Sequence, residues 1–170
     1  MPEPTRYLGK YRGTVVANND PEQRGRLMAQ VPDVLGDTPS TWAMPCFPVA
    51  GPQMGQYVVP TVGAGVWVEF EQGDINYPVW TGCWYGAATE VPSIALAGQP
   101  DSPNMVLQTR GQRMVVLSDL PNGPGITLRT PSGAMLVIND TGILITNGRG
   151  ASISLTGNTV TVNQGALVVT

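Results

Sequence analysis

Glu69 and Glu71 are the residues whose spacing comes closest to that of a catalytic pair. They lie two positions apart in the alternating segment 65–71, so on a strand they would share one face, about 7 Å apart. Glycosidases use two carboxylates about 5–10 Å apart, in unlike environments. No other catalytic candidate shares this face, and nothing nearby in the sequence predicts a cleft. We therefore expect a solvated outer face rather than an active site.

The two cysteines, Cys46 and Cys83, are the other side chains with reactive potential. Both stand among apolar neighbours, which predicts two buried free thiols. A disulfide between them stays possible, although a reducing cytoplasm disfavours one. The chain has no histidine, so it lacks a Ser-His or Cys-His pair and the ligands that a two-cysteine metal site would need. We expect no enzyme activity, no cofactor and no metal.

The composition favours β-structure and argues against nucleic acid as a partner. The chain has 170 residues with Gly 21 and Pro 16, and such turn formers between short apolar runs are typical of strands. Its 9 Lys+Arg against 12 Asp+Glu give a net charge of −3, without the basic footprint of nucleic-acid binding. Only 12% of residues are charged, which suggests a surface largely buried against partners. No run is apolar enough for a membrane span, and the polar start predicts assembly in the cytoplasm.

The first half of the chain predicts a small barrel. Its short alternating runs fall at 11–16, 25–31, 41–44, 57–59, 65–71 and 77–84. Alternation in 65–71 places Val66, Val68 and Phe70 on one face, and we predict these as barrel core. About five short strands with irregular connections fit an OB-fold, with an open sandwich as the alternative. The predicted organisation is an arm over 1–10, an OB domain over 11–85 and a linker over 86–104.

From residue 105 to residue 170 the chain becomes a series of short alternating strands separated by Gly or Asn. Each strand offers a pair of apolar residues on one face. The pairs are Ile126/Leu128, Leu136/Ile138, Ile143/Ile145, Ile153/Leu155, Val160/Val162 and Leu167/Val169. Polar partners such as Thr127, Ser154 and Thr161 are expected to face out.

These repeats cannot bury their apolar face alone, because each unit contributes only two side chains. Three chains wound together solve the problem, each forming one wall of a triangular prism with the apolar pairs on the axis. We therefore predict an all-β homotrimer whose OB barrel precedes an intertwined triple-stranded β-helix. Two sheets packed within one chain are the alternative. The predicted trimer core consists of Ile143, Ile145, Ile153, Leu155, Val160 and Val162.

Several segments resemble one family over nearly the whole chain. They are YRGTVVANNDP at 11–21, GRL at 25–27, VPDVLG at 31–36, WAMPC at 42–46, PTVGAGVWVEFEQGD at 60–74 and YPVWTGCW at 77–84, followed by the repeats. These segments resemble phage baseplate assembly protein V and VgrG-like central spike proteins of contractile tails.

The resemblance implies a structural role on the axis of a baseplate. Such a trimer joins a trimeric hub to a tip and is driven through the target envelope when the sheath contracts, so it meets the target membrane only transiently. The family also implies a separate PAAR-type tip protein on the C-terminal end, here Leu167, Val168, Val169 and Thr170. Barrel loops at 18–25 and 72–76 are plausible hub contacts.

Two departures from the family pattern bear on this role. The linker 86–104 is too short for the lysozyme domain that some phage spikes carry, and the lack of histidine excludes the iron-binding apex of others. The expected location is a virion or tail-like particle. The machine could be a phage tail, a tailocin, or an extracellular injection or secretion system. The competing function is an OB-type binding module for nucleic acid or glycan.

Overall fold

A computed structural model describes residues 5–170, and nearly all of its regular structure is β. It divides into two compact units, the first ending at Ala88 and the second beginning at Thr89. In the described part of the chain, no helix has both the length and the apolar character to cross a bilayer.

The first unit is a five-stranded sheet that closes on itself. Its strands pair in the order β2-β1-β6-β7-β3, and backbone hydrogen bonds between Leu27 and Ala43 join the two edges. A separate hairpin, β4–β5, lies outside the sheet. The elements are β1 (Tyr11–Ala17), β2 (Met28–Gln30), α1 (Pro32–Leu35), β3 (Met44–Pro45), β4 (Ala50–Gly51), β5 (Met54–Gly55), β6 (Gly65–Phe70) and β7 (Pro78–Trp84).

The inside of this barrel is filled by alternate side chains of its strands. In β6, burial alternates residue by residue, so Val66 and Val68 are fully buried and Phe70 is 6% exposed. The predicted barrel-core residues thus lie in the hydrophobic cluster, whose buried members are Val15, Leu27, Ala29, Val31, Ala43, Val66, Val68, Phe70 and Trp80.

A buried ion pair fixes the loop between β1 and β2. The Asp20 carboxylate accepts hydrogen bonds from the Nε and Nη2 of Arg26, at 3.0 and 2.7 Å. The backbone N–H groups of Glu22, Arg24 and Arg26 donate to the same carboxylate. The Arg26 bonds hold the pKa of Asp20 well below its ordinary value, against the opposing effect of burial. The pair therefore stays charged, and the loop has one well-defined shape.

The predicted arm lies partly outside the described residues, which begin at Thr5. Within its described part, the Tyr7 N–H donates to the Gly73 carbonyl at 2.9 Å. The Tyr7 ring also packs against Tyr11 and Phe70. This part of the arm is therefore a piece of the barrel wall.

The second unit is one antiparallel meander of eight strands, paired in the order β15-β14-β13-β12-β11-β10-β9-β8. Two short 3-10 turns, Ala88–Glu90 and Ala95–Ala97, occupy the predicted linker. The strands are β8 (Met105–Gln108), β9 (Met114–Leu117), β10 (Ile126–Arg129), β11 (Met135–Asn139), β12 (Gly142–Thr146), β13 (Ser152–Thr156), β14 (Thr159–Val162) and β15 (Leu167–Val169).

The sheet of one chain does not show the predicted intertwined β-helix, which three copies would have to form together. Every strand from β9 to β14 pairs with its two neighbours in sequence, so one chain forms a continuous meander. All eight strands share that sheet, so they do not form two sheets packed on each other. Tight turns join neighbouring strands, so each strand can pair with the next one in sequence through a short connection.

Other expectations are corrected by the structure. Cys46 and Cys83 are unpaired, as expected, but they are exposed rather than buried. Thr127 is only 6% exposed, and its hydroxyl donates to the Pro124 carbonyl. The predicted strand 57–59 does not form, and the β4–β5 hairpin lies just before it, where no strand was predicted.

Candidate oligomer interface

Two rows of apolar side chains cross the second unit on one face of its sheet. Antiparallel pairing aligns one residue of each strand with one residue of the next, and alternate residues share a face. The first row runs Met105, Leu117, Ile126, Ile138, Ile143, Leu155, Val160, Val169. The second row runs Leu107, Val115, Leu128, Leu136, Ile145, Ile153, Val162, Leu167.

The six residues predicted as trimer core fall into these rows, three in each. Leu155 is paired with Ile143 on one side and Val160 on the other. In the second row Ile153 lies between Ile145 and Val162 in the same way. The structure thus brings all six together on one face.

Sequence reasoning missed the first four members of the rows, which come from β8 and β9. Met105, Leu107, Val115 and Leu117 show the same alternation as the later pairs. A longer connection separates them from the later pairs, because β9 ends at Leu117 and β10 begins at Ile126.

This apolar face is open in a single chain. Met105 and Leu107 are 69% and 68% exposed, and Ile145 and Ile153 remain 47% and 41% exposed near the middle of the sheet. A contiguous apolar surface of this extent on a soluble protein marks an interface. Full burial of such a side chain stabilises by roughly 1.5–3 kcal/mol, so a partner that covers both rows gains substantially.

The opposite face of the sheet is different in character. Its central row runs Val106, Val116, Thr127, Val137, Leu144, Ser154, Thr161, Val168. Val116 and Thr127 are buried there already, and Ser154 and Thr161 are half-buried hydroxyl residues. This face therefore leaves less apolar surface for a partner to cover than the face with the two rows does.

Gly142 allows β12 and β13 to lie close together, because it has no side chain. This residue has φ +147, and a Cβ built on it would lie 2.0 Å from the Leu155 carbonyl oxygen. Any side chain would force β12 and β13 apart. The pairing of these two strands, and so the alignment of both rows, depends on glycine at position 142.

The carboxylate pair that the sequence singled out is not arranged as an acid–base pair. Glu69 forms an exposed ion pair with Lys10, which also donates to the Thr81 hydroxyl. Glu71 lies beyond the end of β6 in an exposed turn. Among residues 5–170, no cluster of three or more Cys, Asp or Glu side chains is placed to bind a metal ion.

The predicted tip-binding residues lie at the outer end of the sheet. Leu167, Val168 and Val169 form β15, which pairs with β14 and leaves its other edge open. All three side chains are more than half exposed, and Thr170 is exposed too.

The fold and this face define a class of protein: a small closed barrel followed by an antiparallel sheet with an open apolar face. Residues 11–85 match the family described as the type VI secretion system/phage-baseplate injector OB domain. Residues 104–168 match the family described as the phage baseplate V C-terminal trimerisation domain. No curated protein matches the chain.

The chain belongs to the family of phage baseplate assembly protein V and VgrG-like spike proteins. Its barrel is an OB domain, and its trimerisation domain supports a homotrimer. The family is one of structural baseplate proteins, and its domains support a location in a virion tail or baseplate.

Proposed function

We propose that three copies of this chain form the central spike of a contractile tail, which joins a hub to a tip and pierces the target envelope on sheath contraction. The observation that carries the proposal is the open two-row apolar face in a domain that matches a trimerisation family. Two sheets packed face to face would also cover the rows, and the family match selects three.

The dimensions of the sheet suit a slender prism. Eight strands about 4.8 Å apart give a wall roughly 34 Å long, and strands of three to five residues make it only about 10–17 Å wide. Such a wall presents two side chains per strand to the axis, as the two rows do. Sheets twist with a fixed hand, so three walls in contact would wind about each other, which is our proposed origin of the intertwined β-helix.

The two ends of the prism have separate proposed partners. The open edge of β15 and its exposed side chains would bind a PAAR-type tip protein, because an uncovered strand edge readily accepts another chain. A trimeric hub would bind on the side of the OB domains. The chain would be assembled in the bacterial cytoplasm and act mechanically, without catalysis.

The binding-module alternative gains little support from the outer face of the barrel. The Trp67 and Trp84 rings could stack on a ligand, but the Arg12 guanidinium already lies 5.5 and 5.0 Å from their centroids. The net charge of −3 further disfavours a phosphate backbone as ligand.

The copy number of the chain in purified contractile particles tests the proposed function. A spike on the axis requires three copies per particle at the baseplate end, found by quantitative mass spectrometry and antibody labelling. An Ile153→Asp variant, whose added charge would fall on the proposed axis, should not be incorporated, whereas the matched Ser154→Asp variant, altered on the opposite face of β13, should be incorporated normally. Contraction-competent particles that lack the chain would refute the proposal.

A further inference from the structure

The connections between the strands of the second unit lie on two sides of its sheet. In an antiparallel meander, successive connections alternate between the two ends of the strands. The connections on one side, which we call the first side, are 109–113, 130–134, 147–151 and 163–166. Those on the opposite side, the second side, are 118–125, 140–141 and 157–158.

The charged residues from 105 to 170 are divided between these two sides by sign. All the arginines lie in or directly beside a connection of the first side, and they are Arg110, Arg113, Arg129 and Arg149. Both carboxylates, Asp119 and Asp140, lie in connections of the second side. All six residues are exposed. Each sheet therefore has one basic side and one acidic side.

The two sides cannot neutralise each other within one sheet. Strands of three to five residues separate them, so they lie about 10–17 Å apart. Within residues 105–170, all of which the structure describes, no Arg side chain forms an ion pair with an Asp side chain. On the second side, Asp119 and Asp140 line one recess of about 240 Å³, which leaves room for a side chain of another chain.

The charges of the two sides also match in height along the sheet. Neighbouring strands are about 4.8 Å apart, and a connection lies between the two strands that it joins. Asp119, between β9 and β10, is therefore about half a strand spacing from the levels of Arg113 and Arg129. Asp140, between β11 and β12, is about one strand spacing from the level of Arg149. Two sheets placed side by side at equal height would bring each Asp close to an Arg.

We propose that the basic side of each sheet binds the acidic side of the neighbouring copy, and that these ion pairs set the relative height of the three chains. In a closed ring of three identical subunits, each contact joins one surface of a subunit to a different surface of the next. When three sheets form the walls of a prism, the first side of each wall meets the second side of its neighbour. This inference rests on the proposed trimer and names the residues that join its walls.

Cross-linking of the full-length chain tests whether the two sides meet. The native thiols are removed by Cys46→Ser and Cys83→Ser, and Asp140→Cys with Arg149→Cys places one thiol on each side. A bismaleimide shorter than the width of the sheet can join these thiols only between neighbouring copies, so covalent trimers should form. The matched chain with Asp119→Cys and Asp140→Cys has both thiols on the acidic side, and it should give no product between chains.

The mass of the same sample before cross-linking separates this inference from the proposed function. A trimeric mass without covalent trimers would overturn the contact between the two sides and leave the trimer standing. Products between chains from the matched same-side pair would overturn it too, because like sides would then be in contact. A monomeric mass would contradict the proposed trimer and this inference with it.

Charge reversal tests whether the ion pairs select the contact. Asp119→Arg with Asp140→Arg makes both sides basic, so the chain concentration that gives half trimer in mild urea should rise about tenfold or more. Adding Arg129→Asp and Arg149→Asp exchanges the charges of the sides and should reverse most of this rise. Salt at about 1 M should shrink it, because screening then acts beyond about 3 Å. No rise, or a rise that neither the exchange nor salt reduces, would overturn the assignment.

Discussion

The Ile153→Asp variant is expected to be monomeric. Ile153 lies between Ile145 and Val162 in the middle of the second row, so the substitution would bring three carboxylates together on the proposed axis. A buried, unpaired charge costs several kcal/mol, and each 1.4 kcal/mol is about tenfold in affinity. Association should therefore weaken by roughly several powers of ten, and sedimentation velocity should show the single chain.

The matched control for this variant is Ser154→Asp, one residue further along β13 on the opposite face. It adds the same charge to the same strand, yet it should remain a trimer. If Ile153→Asp sediments as a stable trimer, the apolar face does not point inward and the proposed orientation of the sheet is wrong.

Trp80→Ala should produce the largest loss of stability in the OB unit. The Trp80 side chain is 5% exposed and packs edge-on against Phe47, with centroids 5.4 Å apart. Its indole N–H donates to the Gly25 carbonyl at 3.1 Å, which links β7 to the β1–β2 loop. Removal of a buried Trp side chain costs about 3–5 kcal/mol, and we expect a loss of that size.

Urea unfolding followed by tryptophan fluorescence measures this effect in the barrel alone. The other tryptophans, Trp42, Trp67 and Trp84, all lie in the first unit, so the signal does not report on the second. Trp80→Phe keeps a ring but loses the hydrogen bond, and it should cost less than Trp80→Ala. A loss below about 1 kcal/mol for Trp80→Ala would show that the ring does not hold the core together.

The strands of the second unit were predictable because apolar and polar residues alternate along each of them, and turn residues mark where each strand ends. Each of the six apolar pairs identified from alternation lies on one strand, from β10 to β15. The pairing partners were not predictable in this way. Alternation indicates which side chains share a face of the sheet. It does not indicate whether a strand pairs with a strand of its own chain or of another chain, because both kinds of pairing give the same alternation.

The barrel was harder to predict from alternation alone. Residues 57–59 are Tyr-Val-Val, which are residue types that favour strands, yet Pro60 follows them and they form no strand. Leu27 was expected inside a strand, but it pairs only through a single bridge to Ala43. The loop that precedes it instead takes its shape from the Asp20–Arg26 pair, and no local periodicity reveals such a contact.

The exposed hairpin escaped prediction because glycine and proline normally mark connections. Residues 45–52 are rich in Pro, which favours a connection over a strand, although β4 lies within them.

The solution mass of the purified wild-type chain, measured by light scattering after gel filtration, shows whether three copies associate. Three copies of an 18.0 kDa chain give the mass expected for a spike whose apolar sheets meet on one axis. A stable species of 18.0 kDa would contradict the account, because the two apolar rows would then remain open to water.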